Sequence, residues 1–454
     1  MIGTSDIPNK SFYLLSLGCA KNLVDAECMS QMLRNAGLLS VDQPGNADFL
    51  IVNTCGFIAS AKQEAINAIL NLADFKAPQG HAKALIVTGC LAQRYAEKIR
   101  QQLPEVDAVL GTAEYAKIVE VVRQLDAGCG KSDHKPGKPG SLDHLKIDRN
   151  PSTPGTYAYI KIAEGCSNHC TYCAIPGIRG ELCSRPEEDI VAEADRLSRE
   201  GYQELILIAQ DSGRYGLDLY GERHLTSLLK KLCALRQVRL IRILYIYSDG
   251  LTDDLIHLLV QEKKIAHYLD MPIQHASNRL LRSMNRRDTQ ESIREAIQKI
   301  RAAIPDLILR TTVMVGFPGE TEDDFQILLG FLNEIRFDRL GCFIFSPEEG
   351  TAAFTMKPRV RKQTAERRYR QLMKLQQDIS CVRVKNRLGT VLPVTLESLD
   401  DRGIFYVGRS YGEAPDVDPV IYVAGTTDQE LLGQTVPVRL VDGDDYDMTG
   451  VTVL

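Results

Sequence analysis

Cys166, Cys170 and Cys173 stand at C-x3-C-x2-C spacing in Glu164-Gly-Cys-Ser-Asn-His-Cys-Thr-Tyr-Cys173. Thiolates are soft ligands, suited to iron-sulfur clusters or zinc. Three protein thiolates on a four-iron cluster leave one iron free, and a free iron can hold a second molecule and do chemistry on it. The competing reading is a zinc knuckle with His169 as fourth ligand. A structural zinc site ordinarily brings a second close ligand pair, and none follows here. The apolar run Tyr157-Ala-Tyr-Ile-Lys-Ile162 leads into the loop, which puts the thiols after a strand.

Three further cysteines share a different regularity. Phe12 to Leu17 runs to Cys19, Phe49 to Thr54 to Cys55, and Ala84 to Gly89 to Cys90; each is an apolar strand followed by a thiol. Continuous apolar runs are the pattern of parallel strands buried on both faces, whose carboxyl ends share one edge. The segments between them, Ala59 to Leu72 and Ala92 to Leu103, have the composition and length of helical crossovers. Ordinary packing as a small hydrophobe explains any one of these cysteines; three at equivalent strand ends predict a second three-cysteine site.

The elements that position these groups are expected in three blocks. Residues 1–125 read as a parallel α/β domain carrying Cys19, Cys55 and Cys90. Residues 126–154 are rich in Gly, Lys, Pro, Ser and His without apolar periodicity, and read as a linker. Within 155–358 about six strand-like runs alternate with helical stretches: Tyr157 to Ile162, Glu204 to Ala209, Leu240 to Tyr245, Ala266 to Leu269, Leu307 to Val315 and Arg339 to Phe345. That is the signature of a parallel (β/α) barrel, complete or partial, with its active site at the strands' carboxyl ends. Residues 359–388 read as a basic connecting helix, and 389–454, with short Val- and Gly-rich strands, as a small antiparallel β-barrel.

Together the two triads resemble the methylthiotransferases, radical S-adenosylmethionine (SAM) enzymes with an amino-terminal cluster domain, a central radical SAM barrel and a carboxy-terminal TRAM barrel. The motifs are Ser16-Leu-Gly-Cys-Ala-Lys-Asn-Leu-Val-Asp25, Val52-Asn-Thr-Cys-Gly-Phe57, Val87-Thr-Gly-Cys90, Gly165 to Pro176, and Val315-Gly-Phe-Pro-Gly-Glu-Thr321. The resemblance covers nearly the whole chain. Within the family it is most similar to the branch that modifies an aspartate of protein twelve of the small ribosomal subunit. It implies two 4Fe-4S clusters and SAM as cofactors, and a flavodoxin- or ferredoxin-like electron donor. The cluster on Cys166, Cys170 and Cys173 would split SAM to a 5'-deoxyadenosyl radical that abstracts hydrogen from the aspartate β carbon; no protein side chain alone does this. The cluster on Cys19, Cys55 and Cys90 would hold the sulfur that a separate SAM methylates.

Candidate contacts follow from the same resemblance. Tyr172 is placed near the adenine, Gly316-Phe317-Pro318-Gly319 borders SAM, and Gln210, Asp211 and Arg310 occupy strand ends that contact its methionine part. Glycines in such a loop permit close backbone approach to a ligand, while a turn is the plain reading of each segment. Gln274 and His275, in Pro272-Ile-Gln-His-Ala-Ser277, are expected to line the substrate pocket; a buried histidine bonded to a backbone carbonyl is an equally ordinary role for His275. Relatives acting on transfer RNA adenosine read Gln-Ser-Gly-Ser there and Ser-Ser-Asp where this chain has Arg310-Thr-Thr312.

Composition fits a multidomain cytoplasmic enzyme. The chain has 454 residues and twelve cysteines, which in a reducing compartment read as ligands and buried thiols. Six of these, Cys28, Cys129, Cys183, Cys233, Cys342 and Cys381, have no partner spacing and are assigned no chemistry. No stretch has the apolar length of a membrane span, and Met1-Ile-Gly-Thr-Ser-Asp6 lacks a signal-peptide profile. Charge is uneven. From Lys357 to Arg387 eleven Lys and Arg face two acids, whereas Gly389 to Leu454 holds three Arg and twelve Asp and Glu. The acidic barrel would repel a phosphate backbone and suits a basic ribosomal protein, or a ribosomal particle, as partner; a merely solvated acidic domain explains the charge equally well, and the motifs favour the former, while direct RNA contact falls to the basic helix. The alternatives are a transfer RNA adenosine methylthiotransferase, disfavoured by the acidic barrel and by Gln274-His-Ala-Ser277, and a non-catalytic iron-sulfur electron carrier, which would have four ligands per cluster.

Overall fold

The computed structural model of the chain describes residues 10–131, 135–425 and 431–453. Its first block is a parallel sheet of β1 (Ser11–Ser16), β2 (Leu39–Ser40), β3 (Phe49–Thr54), β4 (Ala84–Gly89) and β5 (Ala108–Leu110), in the spatial order β2-β1-β3-β4-β5. Helices α1 (Ala20–Asn35), α2 (Ala59–Ala73), α3 (Cys90–Gln102) and α4 (Ile118–Asp126) cover both faces. Alternate residues of β3 and β4 serve opposite layers: Phe49, Ile51 and Ile86 pack on α1 and α4, while Leu50, Val52, Leu85 and Val87 pack on α2 and α3. This two-sided burial is why each strand is uninterruptedly apolar.

The second block is built on β6 (Tyr157–Lys161), a short hairpin of β7 (Ala163–Glu164) and β8 (Cys183–Ser184), and β9 (Glu204–Ile208), β10 (Leu240–Ile243), β11 (Ile265–Asp270), β12 (Ile308–Val315) and β13 (Arg339–Ile344). The six long strands run parallel in sequential order from β6 to β13. They form one open sheet, so the barrel is partial. Its outer face packs on α6 (Glu187–Arg199), α7 (Leu225–Ala234), α8 (Asp253–Gln261), α10 (Gln290–Ala303) and α11 (Glu322–Ile335); α5 (Ile175–Arg179) and α9 (Asn278–Ser283) are short turns beside the cysteine loop.

The inner face is closed by the neighbouring blocks. Val24 and Cys28 of α1, Leu145, and Ala414 pack against Tyr159, Ile206, Leu244 and Tyr268 of the sheet. The connection 135–154 is therefore more than a spacer. His144 and Arg149 are buried; His144 Nε2 lies 2.8 Å from Asp25 Oδ1, and Arg149 pairs with Glu27 of α1 and, at 2.9 Å, with Glu193 of α6. A segment without apolar period reads as a linker because its anchors here are ionic and its partners lie far away in sequence.

Helix α12 (Lys362–Arg387) leads to a closed barrel of β14 (Val391–Leu399), β15 (Tyr406–Arg409), β16 (Ile421–Ala424), β17 (Thr435–Gly443) and β18 (Met448–Thr452), ordered β14-β15-β16-β18-β17. Four of its strand pairs are antiparallel, as expected, but β16 and β18 run parallel. Five strands closed into a ring cannot alternate in direction throughout, so one parallel pair is unavoidable. No helix among the described residues is long and apolar enough to cross a membrane.

Candidate functional site: two three-cysteine sites on a shared charged interface

Cys19, Cys55 and Cys90 follow β1, β3 and β4, three neighbouring strands of the first sheet, and so meet along its carboxyl edge. Glycines make the approach possible. A Cβ on Gly18 (φ +95) would lie 2.8 Å from Cys55 Cβ, and one on Gly89 (φ +94) would lie 2.5 Å from Asn53 Oδ1 and the Thr54 carbonyl oxygen. Only glycine combines that backbone conformation with that proximity. Cys19 is exposed, Cys55 half-buried and Cys90 buried, and all are free thiols. Burial, helped by charge on Cys90 and Cys19, pushes the Cys55 thiol up to about 11. Burial likewise raises Cys90, against the pull of the Arg179 guanidinium. At Cys19 desolvation opposes ionisation, but Lys21, Arg179 and the backbone N–H groups of Asn22 and Lys21 outweigh it, and its pKa is lowered.

Cys166, Cys170 and Cys173 lie in the loop between β7 and α5. The Cys166 N–H donates to the Gly180 carbonyl at 3.0 Å, Thr171 N–H to the Met284 carbonyl at 3.0 Å, and Cys173 N–H to the Cys170 carbonyl at 3.0 Å, which fixes the loop at three points. Burial, with charge on Cys170, raises the Cys166 thiol to about 11, and burial, with charge on Cys170 and Cys166, raises the Cys173 thiol to about 12. Buried thiols that repel one another as thiolates suit a bound cation such as cluster iron. His169 does not complete a zinc knuckle: its ring is exposed and its Nε2 faces Glu181 at 3.5 Å. Cys183 sits opposite Glu164 in the β7–β8 hairpin, and none of the groups that shift its thiol is a cysteine. A cavity of about 520 Å³, lined by Arg94 and Tyr95 of α3 and by Cys170, Cys173, Pro176 and Thr351, opens beside the loop.

A buried ionic cluster joins the two sites. Asp25 of α1 accepts from Lys161 and, at 2.7 Å, from Arg179; Glu164, two residues before Cys166, accepts from Lys161 at 2.9 Å and from Arg179 at 3.0 Å. Arg179 also donates to Asn22 Oδ1 and, at 3.3 Å, to Cys90 Sγ. Burial alone would raise the pKa of Asp25, but Lys161 and Arg179 hold its carboxyl far below the carboxylate range. Lys21 stacks over the Tyr245 ring at 3.7 Å. Sequence reasoning missed Lys21, Asn22, Asp25, Lys161, Glu164 and Arg179. Lys21, Asn22 and Asp25 do stand in the motif around Cys19, and Glu164 opens the motif around Cys166, but their contacts span up to 157 positions.

The remaining candidates distribute unevenly. Tyr172 and Phe317 share one apolar cluster with Met314 and Phe345. Gly316 (φ +79) donates its N–H to Glu320, and Gly319 (φ +79) donates to the Pro358 carbonyl at 2.7 Å, so two left-handed glycines flank Phe317-Pro318. Gln210 is half-buried after β9. Asp211 is buried and accepts from Asn168 of the cysteine loop at 2.8 Å; burial raises it to about 6, and its Oδ1 has no partner among the described residues. Gln274 is half-buried and takes φ +65, its backbone bridged to β12 through Thr312 and Met314. A non-glycine residue held there is strained, which is typical of functional positions.

Arg310 stands elsewhere than expected, and His275 is buried. His275 has no exposed surface: its Nδ1 accepts from Ser277 N–H at 3.0 Å and its Nε2 lies 3.5 Å from Glu320. Glu320 in turn accepts from the Gly316 N–H, so His275 stands one contact away from that loop. Arg310 is third in the eight-residue β12, away from the strand's carboxyl end, and its guanidinium is engaged by Asp270 at 3.0 Å and Asp418 at 3.6 Å. Those carboxylates take up the group that was expected to meet SAM.

Residues 11–111 match the family described as Uncharacterized protein family UPF0004, 160–332 the Radical SAM superfamily, and 388–453 the TRAM domain. The chain is 43% identical over 437 residues to the ribosomal protein uS12 methylthiotransferase RimO of Alkaliphilus oremlandii, covering 96% of this chain and 97% of the relative. It is 46% identical over 439 residues to the same-named protein of Lachnoclostridium phytofermentans, with 96% and 99% covered. Among solved structures, the radical SAM methyltransferase TsrM from Kitasatospora setae matches with a TM-score of 0.52 at 13% identity, over 76% of this chain and 77% of that one. The cobalamin-dependent radical SAM enzyme OxsB matches at 0.53 and 12% identity, over 81% and 56%; these two likenesses concern the fold alone. With its relatives this similar over nearly their whole length, and with both triads assembled at strand ends, the chain belongs to the RimO family of radical SAM ribosomal protein uS12 methylthiotransferases.

Proposed function

We infer that this chain adds a methylthio group to the β carbon of an aspartate in ribosomal protein uS12. The observation that carries the reading is the pair of three-cysteine sites, each one ligand short and held against each other by Arg179, Asp25 and Glu164. A 4Fe-4S cluster on each triad, with SAM, supplies hydrogen abstraction at one site and sulfur to transfer at the other. The chain's residues do the positioning. Cys166, Cys170 and Cys173 hold the first cluster, and Cys19, Cys55 and Cys90 the second. Tyr172 and Pro318 flank SAM with apolar surface backed by fully buried Phe317, while Gly316 and Gly319 let backbone approach it closely. Gln210 and the unpartnered oxygen of Asp211 serve as polar contacts for SAM. Gln274, held in its strained conformation beside β12, meets the substrate aspartate.

A cytoplasmic location, a flavodoxin- or ferredoxin-like reductant, and contact of exposed Arg370 and Lys374 on α12 with ribosomal RNA belong to the same reading. Mass spectrometry of uS12 from cells with and without the gene tests it. Loss of one methylthio mass from uS12 on deletion supports the reading. Unmodified uS12 in both, with a change in transfer RNA adenosine instead, overturns it.

A further inference from the structure

We propose that Arg179 sets the electron affinity of the cluster held by Cys19, Cys55 and Cys90, a positioning role that rests on the reading above that both triads hold clusters. Arg179 ends α5, at the close of the radical SAM cysteine loop, yet its guanidinium crosses into the first domain. Its Nη1 is held by two carboxylates, Asp25 Oδ2 at 2.7 Å and Glu164 Oε2 at 3.0 Å. That fixes the plane of the group and directs Nη2 at Asn22 Oδ1 and at Cys90 Sγ, 3.3 Å away. The side chain is 1% exposed, so water does not screen the charge it presents to the sulfur.

The potential of an iron-sulfur cluster depends on net charge and on hydrogen bonds to its sulfurs. A fixed donor on the Cys90 thiolate favours the more electron-rich, reduced state and so raises the potential. Lysine cannot replace this geometry, because an ammonium is a point charge without the planar fork that serves two acceptors on one side and a sulfur on the other. None of the Arg179 hydrogen bonds described reaches Cys166, Cys170 or Cys173, so the effect belongs to one site. A purely structural role, neutralising Asp25 and Glu164 at the domain interface, predicts no such selectivity.

The test uses the full chain with Cys166, Cys170 and Cys173 replaced by Ala, in which iron reconstitution loads only the amino-terminal site. Its midpoint potential, followed by electron paramagnetic resonance, is expected to shift negative in Arg179→Lys and further in Arg179→Gln. In the reciprocal protein, Cys19→Ala/Cys55→Ala/Cys90→Ala, Arg179→Lys is expected to leave the potential of the other cluster unchanged. Equal potentials with and without Arg179, or equal shifts at both sites, overturn the proposal. Should both Arg179 variants fail to fold, labelling arginine with nitrogen-15 in the chain that retains Arg179 decides: hyperfine coupling of that nitrogen to the reduced amino-terminal cluster is expected, and its absence overturns the proposal. Failure of the starting protein to bind iron overturns the two-cluster reading and this inference with it.

Discussion

Arg94 and Glu348 are 254 positions apart in the chain and 3.0 Å apart in space. Arg94 extends from α3, donates to the Gly56 carbonyl beside Cys55 at 2.7 Å, and meets the carboxylate that follows β13; Lys62 of α2 reaches the same carboxylate at 2.8 Å. One acid thus latches the first domain to the central sheet beside the cysteine loop. Replacing it removes the carboxylate paired with two partly buried cations, a change that costs roughly 3 kcal/mol. Glu348→Gln is expected to lower the thermal midpoint; an unchanged midpoint in calorimetry would refute the latch.

Iron content separates the two triads. The intact chain is expected to bind about eight irons and a triple Ala variant of either triad about four. Gly89→Ala is the finer probe, because a Cβ there would meet Asn53 and Thr54 at 2.5 Å and displace Cys90. It should lose amino-terminal iron while keeping the cluster on Cys166, Cys170 and Cys173. Anaerobic iron and sulfide analysis would count against the site if Gly89→Ala retained a full complement.

Acid should loosen the carboxy-terminal barrel in a defined window. Burial alone would raise the pKa of Glu413, but Arg387 and Arg339, with hydrogen bonds from Arg387 and Ser410, bring it down to about 2 from an ordinary 4.5. A carboxylate lowered in the folded state contributes its full stabilisation above the unfolded pKa and loses it as pH falls through the folded one. The contribution, a few kcal/mol, is therefore whole above about pH 4.5 and gone near pH 2. Urea midpoints between those pH values should fall more steeply for the parent than for Glu413→Gln; parallel slopes would show that the acid is not linked to folding.

The acidic surface of the last barrel is expected to attract its basic substrate. Asp444 accepts from Tyr446 N–H at 2.7 Å and builds a turn, and Asp447 accepts from Val420 N–H at 3.0 Å and ties two segments together, so both have structural roles. Asp401 and Asp442 are exposed, and Asp442→Asn keeps an acceptor for Gly443 N–H. Asp401→Asn/Asp442→Asn should raise KM for uS12 about two- to fivefold at low salt and less at high salt, where screening shortens to a few ångströms. Identical KM values for variant and parent at both salts would remove the surface from recognition.

What the sequence made legible was what one strand or one loop determines locally. Phe49 to Thr54 and Ala84 to Gly89 are apolar because both faces are covered, and such runs put Cys55 and Cys90 side by side without further information. The settings of His275 and Arg310 were not legible because they depend on partners, Glu320 in one case and Asp270 and Asp418 in the other, that no spacing announces. Arg179 was overlooked for the same reason. A cation between Gly177 and Gly180 reads as a solvated turn until Asp25, Glu164 and Cys90 are brought to it.

The loop between β15 and β16 has a consequence for engineering. Tyr159 and Tyr268, on the inner face of the central sheet, donate their hydroxyls to Asp416 at 2.8 Å and Asp418 at 2.6 Å, and Arg242 donates to the Tyr411 carbonyl at 2.7 Å. The last barrel thus supplies part of the floor of the domain before it. A chimera that grafts a foreign barrel at residue 388 inherits an incomplete floor unless residues 410–418 travel as a cassette matched to those tyrosines and Arg242. The exchangeable unit is the sheet together with its plug.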